Sequence, residues 1–459
     1  MIVRFVNRKD ELSILNTLYE SRKANLVIVC GRRRVGKTRL LLEFLKGKNG
    51  IYFYITRGGE ETILSELSKV VEKDFFPGFK FPEFRSFLEY LSRKFEEGAI
   101  VVIDEFQRLS EVEGAISLIQ KFWDEKFSQQ RAVLILSGSS ISLIERVALR
   151  GDAPLYGRRT STIWLKPLKF MDLQEWFPNF APEDLVKIYS SFGGTPAYLE
   201  KVDENKSPEE NIVNLILKKD GALHDEPEYL LLEELRVPNR YMDILTAISF
   251  GKCYLSEISD FTRIKRENLT TYLNSLETLN LISREYPVLA ERKKSRYMLT
   301  DPFFAFWFRF VNPNKAVLEL GLEEKVWNNI REDFNAYLGK VFEGIAKEYI
   351  VSRVKSGELE IDADVMGRWQ HEAEEIDFIA YSSREKKGVL FEIKWKELSY
   401  EDAKNIILRL IEKSLLVKME QKRYGIIAKR IIKKEKLREE GYIALDLEDI
   451  AFQQLRKYL

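Results

Sequence analysis

One stretch narrows the possible folds more than any other: residues 26–45, LVIVCGRRRVGKTRLLLEFL. A short apolar run reads as a buried strand, a glycine-bounded loop follows, and the apolar spacing beyond it reads as a helix. The loop is Gly31-Arg32-Arg33-Arg34-Val35-Gly36-Lys37-Thr38, and it has the phosphate-binding spacing GxxxxGK[ST]. Each part has a physical task. The glycines let the backbone bend until successive N–H groups point at phosphate oxygens. The helix that follows adds the positive end of its dipole. Lys37 is expected to reach the β- and γ-phosphates of ATP, and the Thr38 hydroxyl to ligate Mg²⁺. Arg39, in the first turn of that helix, is grouped with the nucleotide-binding residues. The alternative is an ordinary strand-to-helix turn.

A phosphate loop of this kind needs an acidic partner at the end of a second strand. Residues 99–105, AIVVIDE, supply one. Asp104 is expected to hold the metal through water, and Glu105 to orient or deprotonate the attacking water. Residues 132–137 read as a further buried strand, ending in Ser137-Gly138-Ser139-Ser140. Ser139 is the candidate sensor of the γ-phosphate; a serine-rich helix cap is the rival reading. Strands alternating with helices imply a parallel three-layer α/β sheet with its ligand at the carboxyl ends of the strands. Downstream, Arg150, Arg158 and Arg159 are candidates for an arginine finger reaching a neighbouring copy in a homo-oligomer, with surface ion pairing as the alternative.

At 459 residues the chain exceeds a single core, and about three domains are expected. The net charge is +1, so any DNA-binding face must be a local patch. Two cysteines, Cys30 and Cys253, leave no room for a disulfide framework or a cysteine-based zinc site, which suits a reducing cytoplasm. The start, MIVRFVNRKDEL, is broken by charge and does not read as a signal peptide. No run approaches the roughly 18 apolar residues of a membrane span, so no membrane partner is expected.

Several elements in order carry a family resemblance: Asn7-Arg8, GRRRVGKT, VVIDE, LILSGSS, LYGRR and GGTPAYL. Together they resemble the archaeal ATPase family, within the AAA+-like STAND group of nucleotide switches related to origin-recognition ATPases. The resemblance implies that Arg8 lies near the adenine, and that Pro196 belongs to a helical lid. It also implies the fold: a P-loop NTPase sheet with helical lid, a winged helix-turn-helix, and a C-terminal restriction-endonuclease-like α/β domain. The expected boundaries are residues 1–163, 164–235, 236–311, a linker at 312–330, and 331–459.

Residues 240–311 read as the winged helix. The third helix, 266–279, has an apolar stripe, and a hairpin follows around the charged tip 291–294. Lys265, Arg266, Arg292, Lys293 and Lys294 are candidates for phosphate contacts with duplex DNA. The alternative is a module that only packs or relays nucleotide state. The aromatic run at 303–310 is expected to join domains.

In the last domain, Glu392 and Lys394 are two apart on one strand and share a face. Asp377 on a paired strand comes close to both. Two carboxylates beside a lysine suit a divalent metal and a hydrolytic water. Asp377 followed by Glu392-Ile393-Lys394 resembles the PD-(D/E)xK nuclease signature, with Ile376 where that family has proline. On this resemblance Glu343 is the extra acidic metal ligand of the first helix. The expected activity is an ATPase coupled to DNA binding and metal-dependent cleavage. The rival is a nucleotide switch, or an origin-recognition-like DNA-binding ATPase, with an inactive nuclease fold.

Overall fold

The computed structural model describes residues 4–235, 237–290 and 294–451. They form two compact units: residues 1–168 with 195–197, and residues 169–194 with 198–459.

Five strands build the sheet of the first unit: β1 Asn25–Cys30, β2 Gly50–Tyr54, β3 Ile100–Asp104, β4 Val133–Gly138 and β5 Ser161–Trp164. All pair in parallel, in the order β2-β3-β4-β1-β5. Every residue of β1, β3 and β4 is buried, as central parallel strands require when helices cover both faces. The side chains alternate. Leu26, Ile28, Val101, Ile103, Leu134 and Leu136 join one core. Val27, Val29, Ile100, Val102, Val133 and Ile135 join the other. At roughly 1.5–3 kcal/mol per fully buried aliphatic side chain, these two layers fix the register. The order has one functional consequence. The phosphate loop leaves the end of β1, the acids sit at the end of β3, and the tip of β4 lies between them. Periodicity does not reveal β5, four residues at a sheet edge of which Ile163 alone is buried.

In the second unit three helices, Pro238–Ser249, Leu255–Thr262 and Arg266–Thr278, precede an antiparallel hairpin of β6 Ile282–Glu285 and β7 Arg296–Leu299. Phe303, Phe304, Phe306, Trp307, Phe308 and Phe310 are all buried, with Phe306 and Phe310 packed on Phe334 and Tyr337. The C-terminal sheet holds β8 Val365–His371, β9 Glu374–Ser382, β10 Lys387–Leu398, β11 Gln421–Ile431 and β12 Ile443–Asp446, in the order β12-β11-β10-β9-β8. β8, β9 and β10 pair antiparallel, and β10, β11 and β12 parallel. Helix Glu323–Lys355 covers one face, where Phe342 meets Trp395 at 5.0 Å. Helix Tyr400–Ser414 covers the other, where Leu410 joins Ile379 and Leu390.

The segment 312–330 is not the expected linker. Helix Glu323–Lys355 runs through residue 331 without a break, because Val326, Trp327 and Ile330 continue the buried stripe of Phe334, Tyr337 and Leu338. No helix among the described residues is long and apolar enough to cross a membrane.

Candidate functional sites

The loop after β1 is shaped by glycine and by two left-handed residues. A Cβ on Gly31 would lie 2.4 Å from the carbonyl oxygen of Leu165, so only glycine fits there. Arg34 (φ 67°) and Gly36 (φ 95°) turn the chain into helix Lys37–Leu45. Lys37 is folded onto its own loop, its Nζ donating to the carbonyls of Gly31 (2.8 Å) and Arg32 (3.0 Å). Burial pulls its ammonium below the usual lysine value, against the charges of Glu105 and Asp104. Arg8, itself left-handed (φ 73°), donates to the carbonyl of Val35 at 3.1 Å and pairs with Glu11. Pro196 stands against the same loop, 3.8 Å from where a Cβ of Gly36 would be, and the Ala197 N–H faces the Arg34 carbonyl at 3.5 Å.

The acids meet the loop at its far side. Thr38 Oγ1 donates to Asp104 Oδ2 at 2.7 Å. Tyr52, from β2, donates to the same oxygen at 2.6 Å. Burial, with Asp104 beside it, raises the Tyr52 phenol well above its usual value, so it remains a donor. The Glu105 N–H closes on Asp104 Oδ1 at 3.0 Å. Glu105 is left-handed (φ 56°), and its Oε2 accepts from Gln107 Nε2 (2.8 Å) and Ser139 Oγ (2.9 Å), with Arg108 at 3.5 Å. A strained residue at a strand end, held by three partners, is the kind of arrangement that functional sites accumulate. Ser139 thus sits at the tip of β4, bonded to Glu105. The hydroxyl of Thr38 and the carboxylate of Asp104 are oxygens suited to a hard cation, and the ammonium of Lys37 beside them is suited to a nucleotide phosphate.

A second cluster lies in the C-terminal sheet. Between the pairs Gly367–Ile379 and Trp369–Ile376, Asp377 and Phe378 face the single residue Arg368, a β-bulge that re-aims the Asp377 side chain. Lys394 Nζ contacts Asp377 Oδ2 (3.0 Å) and Glu392 Oε2 (2.6 Å). The Ile393 N–H also donates to Asp377 Oδ2, at 2.8 Å. From helix Tyr400–Ser414, Lys413 Nζ donates to Glu392 Oε1 at 2.9 Å and to the Glu375 carbonyl at 3.0 Å. Burial pushes the Asp377 carboxyl up, but the Lys394 ammonium and the Ile393 N–H outweigh it and hold it below the usual aspartate value. Burial, then the Asp377 charge, push Glu392 above the usual glutamate value. The two acids are split in the manner of close carboxylate pairs.

Two family models match the chain. Residues 5–202 match an "ATPase domain predominantly from Archaea", and residues 307–406 match "Archaea bacterial proteins of unknown function". An uncharacterised protein of Methanocaldococcus jannaschii is 36% identical over 455 residues, 97% of this chain and 100% of that protein. The chain belongs to this archaeal ATPase family. An uncharacterised ATP-binding protein of the same organism is 57% identical over 47 residues, 10% of this chain and 80% of that protein. Among solved structures, a Walker-type ATPase of Pyrococcus abyssi superposes with a TM-score of 0.50 at 23% identity, covering 66% of this chain and 96% of that one. The likeness shows the shared P-loop NTPase fold.

Within this ATPase the sequence-predicted residues fall into two groups. Arg8, the phosphate loop, Thr38, Asp104, Glu105, Ser139 and Pro196 gather in the first unit. Asp377, Glu392 and Lys394 gather in the second. Glu343 does not join them in the contacts the structure shows. It lies on helix Glu323–Lys355, across the sheet from the face bearing Glu392, and pairs with Lys347 (2.6 Å) and Arg296 (3.8 Å). Among the described residues, no group of three or more His, Cys, Asp and Glu side chains is arranged to hold a metal. Arg158 is committed within its own unit, forked onto Asp124 at 2.7 and 2.8 Å. Arg159 reaches the Ala148 carbonyl and lies over the Tyr156 ring, while Arg150 is exposed. Lys265 and Arg266 are exposed at the start of the third helix. Glu291, Arg292 and Lys293 lie outside the described residues, and Lys294 sits over the Tyr254 ring at 4.1 Å.

Sequence reasoning missed Tyr52, Gln107 and Lys413. Tyr52 is one of two alternating tyrosines in IYFYI, so its face was readable, but its partner depends on β2 lying beside β3. Lys413 is one of many helical lysines, singled out only by the packing of its helix. It also missed Arg368, which is buried between Glu375 (3.2 Å) and Glu285 (3.6 Å). Glu285, Glu343 and Glu375 there face Arg296, Lys347 and Arg368. This network and the Val288 N–H donating to the Arg368 carbonyl (2.8 Å) dock the β6–β7 hairpin onto the edge of β8.

Proposed function

We propose that this chain is an ATP- and Mg²⁺-dependent switch that engages duplex DNA and cuts it at the C-terminal acid–lysine cluster. The phosphate-loop amides and Lys37 bind the triphosphate, Thr38 and Asp104 hold Mg²⁺, and Glu105 orients the attacking water. Mg²⁺ supplies neutralisation of charge on the transferring phosphoryl group. Ser139 has one hydroxyl proton, so a γ-phosphate competes with Glu105 for it. The exposed start of the third helix, with Lys265 and Arg266, is the proposed DNA contact.

One observation carries the cleavage reading: a single ammonium, Lys394, touches both Asp377 and Glu392. Two carboxylates, with water and substrate phosphate completing the shell, suit Mg²⁺. Lys394 is placed to steady the developing negative charge. The test is a nuclease assay on duplex DNA with Mg²⁺ or Mn²⁺, with and without ATP. Wild type is expected to cut, and Lys394→Ala to lose cutting while keeping ATP turnover. A wild type that cuts nothing across these conditions refutes the reading.

A second observation favours a rival. Lys413 and Lys394 together compensate both acids, and among the described residues no third acid joins them. A nucleotide switch, or an origin-recognition-like ATPase, with a binding-only C-terminal fold would look the same. It predicts salt-dependent duplex binding without cleavage.

A further inference from the structure

Asp104 is held by more than the expected hydroxyl of Thr38. β2 lies at the sheet edge beside β3, with Tyr52 in register with Val102, two residues short of Asp104. With strands about 4.8 Å apart and a rise of about 3.3 Å per residue, that diagonal spans about 8 Å, within reach of an aromatic side chain. The Tyr52 phenol bridges it and donates to Asp104 Oδ2, the oxygen that also accepts from Thr38. When Thr38 turns a lone pair toward a cation, its proton can no longer be relied on to fix that oxygen. Tyr52 is then the side-chain donor left on Oδ2. A phenol orients a carboxylate without cancelling its charge, which an ammonium would do. Glu105, by contrast, is held by Gln107, Ser139 and Arg108.

We infer that Tyr52 is a positioning residue for the divalent cation. It holds Asp104 Oδ2 beside Thr38 Oγ1, so that both oxygens meet the Mg²⁺–nucleotide complex together. The inference rests on the reading of Thr38 and Asp104 as the magnesium-holding pair.

The test is Tyr52→Phe, which keeps the ring and removes the donor. Affinity for a fluorescent ATP analogue is measured by titration, first without divalent cation and then against Mg²⁺. Metal-free affinity stays within about twofold of wild type, and the Mg²⁺ needed for half-maximal enhancement rises about tenfold, the value of one hydrogen bond to a charged group. Turnover at saturating Mg²⁺ recovers. On an Asp104→Asn background, Tyr52→Phe adds nothing further, which a role confined to packing would not produce. Wild-type Mg²⁺ dependence in a Tyr52→Phe protein that melts normally overturns the inference. So does an equal loss on the Asp104→Asn background, and that result serves even if the single variant folds poorly. A wild type whose nucleotide binding ignores Mg²⁺ overturns instead the reading of Thr38 and Asp104, and the inference with it.

Discussion

Two pairs of acids stand on sheets in this chain, one at the end of β3 and one within β9 and β10, and the molecule holds them by opposite means. Asp104 is fixed by neutral donors: two hydroxyls and a backbone N–H. Asp377 and Glu392 are fixed chiefly by ammonium groups, Lys394 on both and Lys413 on Glu392. The difference is one of stored charge. Neutral donors orient a carboxylate and leave its negative charge for an arriving cation. Ammonium groups orient and neutralise at once, which lowers the cost of burying the acids but leaves less field for a metal. At the first site Asp104 takes a cation by the turn of one hydroxyl, with no ammonium contact to give up. The second must give up a lysine contact to take one.

The largest effect that sharpens this contrast is at the first pair. Glu105→Gln keeps the shape and its acceptor, so nucleotide binding survives, while the rate of phosphate release falls by about 10²–10⁴-fold, the span expected for a positioned general base. Unchanged turnover in that variant would remove Glu105 from the water-orienting role. At the second pair, Lys394→Met takes the only ammonium contact from Asp377 among the described residues and leaves Lys413 on Glu392. The Lys394 side chain is 36% exposed. The stability loss is therefore about 1–2 kcal/mol rather than the larger cost of breaking a fully buried pair. Added Mn²⁺, without nucleotide, raises the melting temperature of this variant more than that of wild type. Equal Mn²⁺ shifts in the two proteins would break the comparison. Of similar size is Gly31→Ala. Its Cβ meets the Leu165 carbonyl oxygen at 2.4 Å, and the strain costs about 1–3 kcal/mol, read by thermal melting.

The sequence made the first site legible because its chemistry is local. Gly31 through Thr38 is one contiguous stretch, and Asp104 and Glu105 are marked by an apolar strand that ends in acid. Asp377, Glu392 and Lys394 were legible for a similar reason, lying on two consecutive strands. What escaped was set by packing order rather than by pattern. Tyr52 touches Asp104 because β2 neighbours β3, which no local spacing encodes. Glu343 has helical periodicity and suitable chemistry, but its helix covers the other face. The boundary expected at residue 331 falls inside one continuous helix, because an Asn-Pro-Asn turn upstream resembles a linker while the apolar stripe beyond it does not stop.

The smallest effect comes from Asp377→Asn, and its pH dependence carries the information. The folded-state pKa of Asp377 lies below its ordinary value of 3.8. Its ionised form therefore contributes stability above that pH, and the contribution is lost as pH falls through the lowered value. The asparagine variant lacks it throughout. The deficit in urea midpoint is present at pH 7 and closes as the pH drops below about 3.8. A second term keeps the deficit small. The Asp377 charge helps to push Glu392 up, so removing it relieves repulsion wherever both acids are ionised. The two terms oppose at neutral pH, and both vanish once the acids are protonated. A deficit that widened on acidification would mean that Asp377 is not held as an anion by Lys394. The distinction between hydroxyl-held and ammonium-held acids would then fail at the residue that defines it.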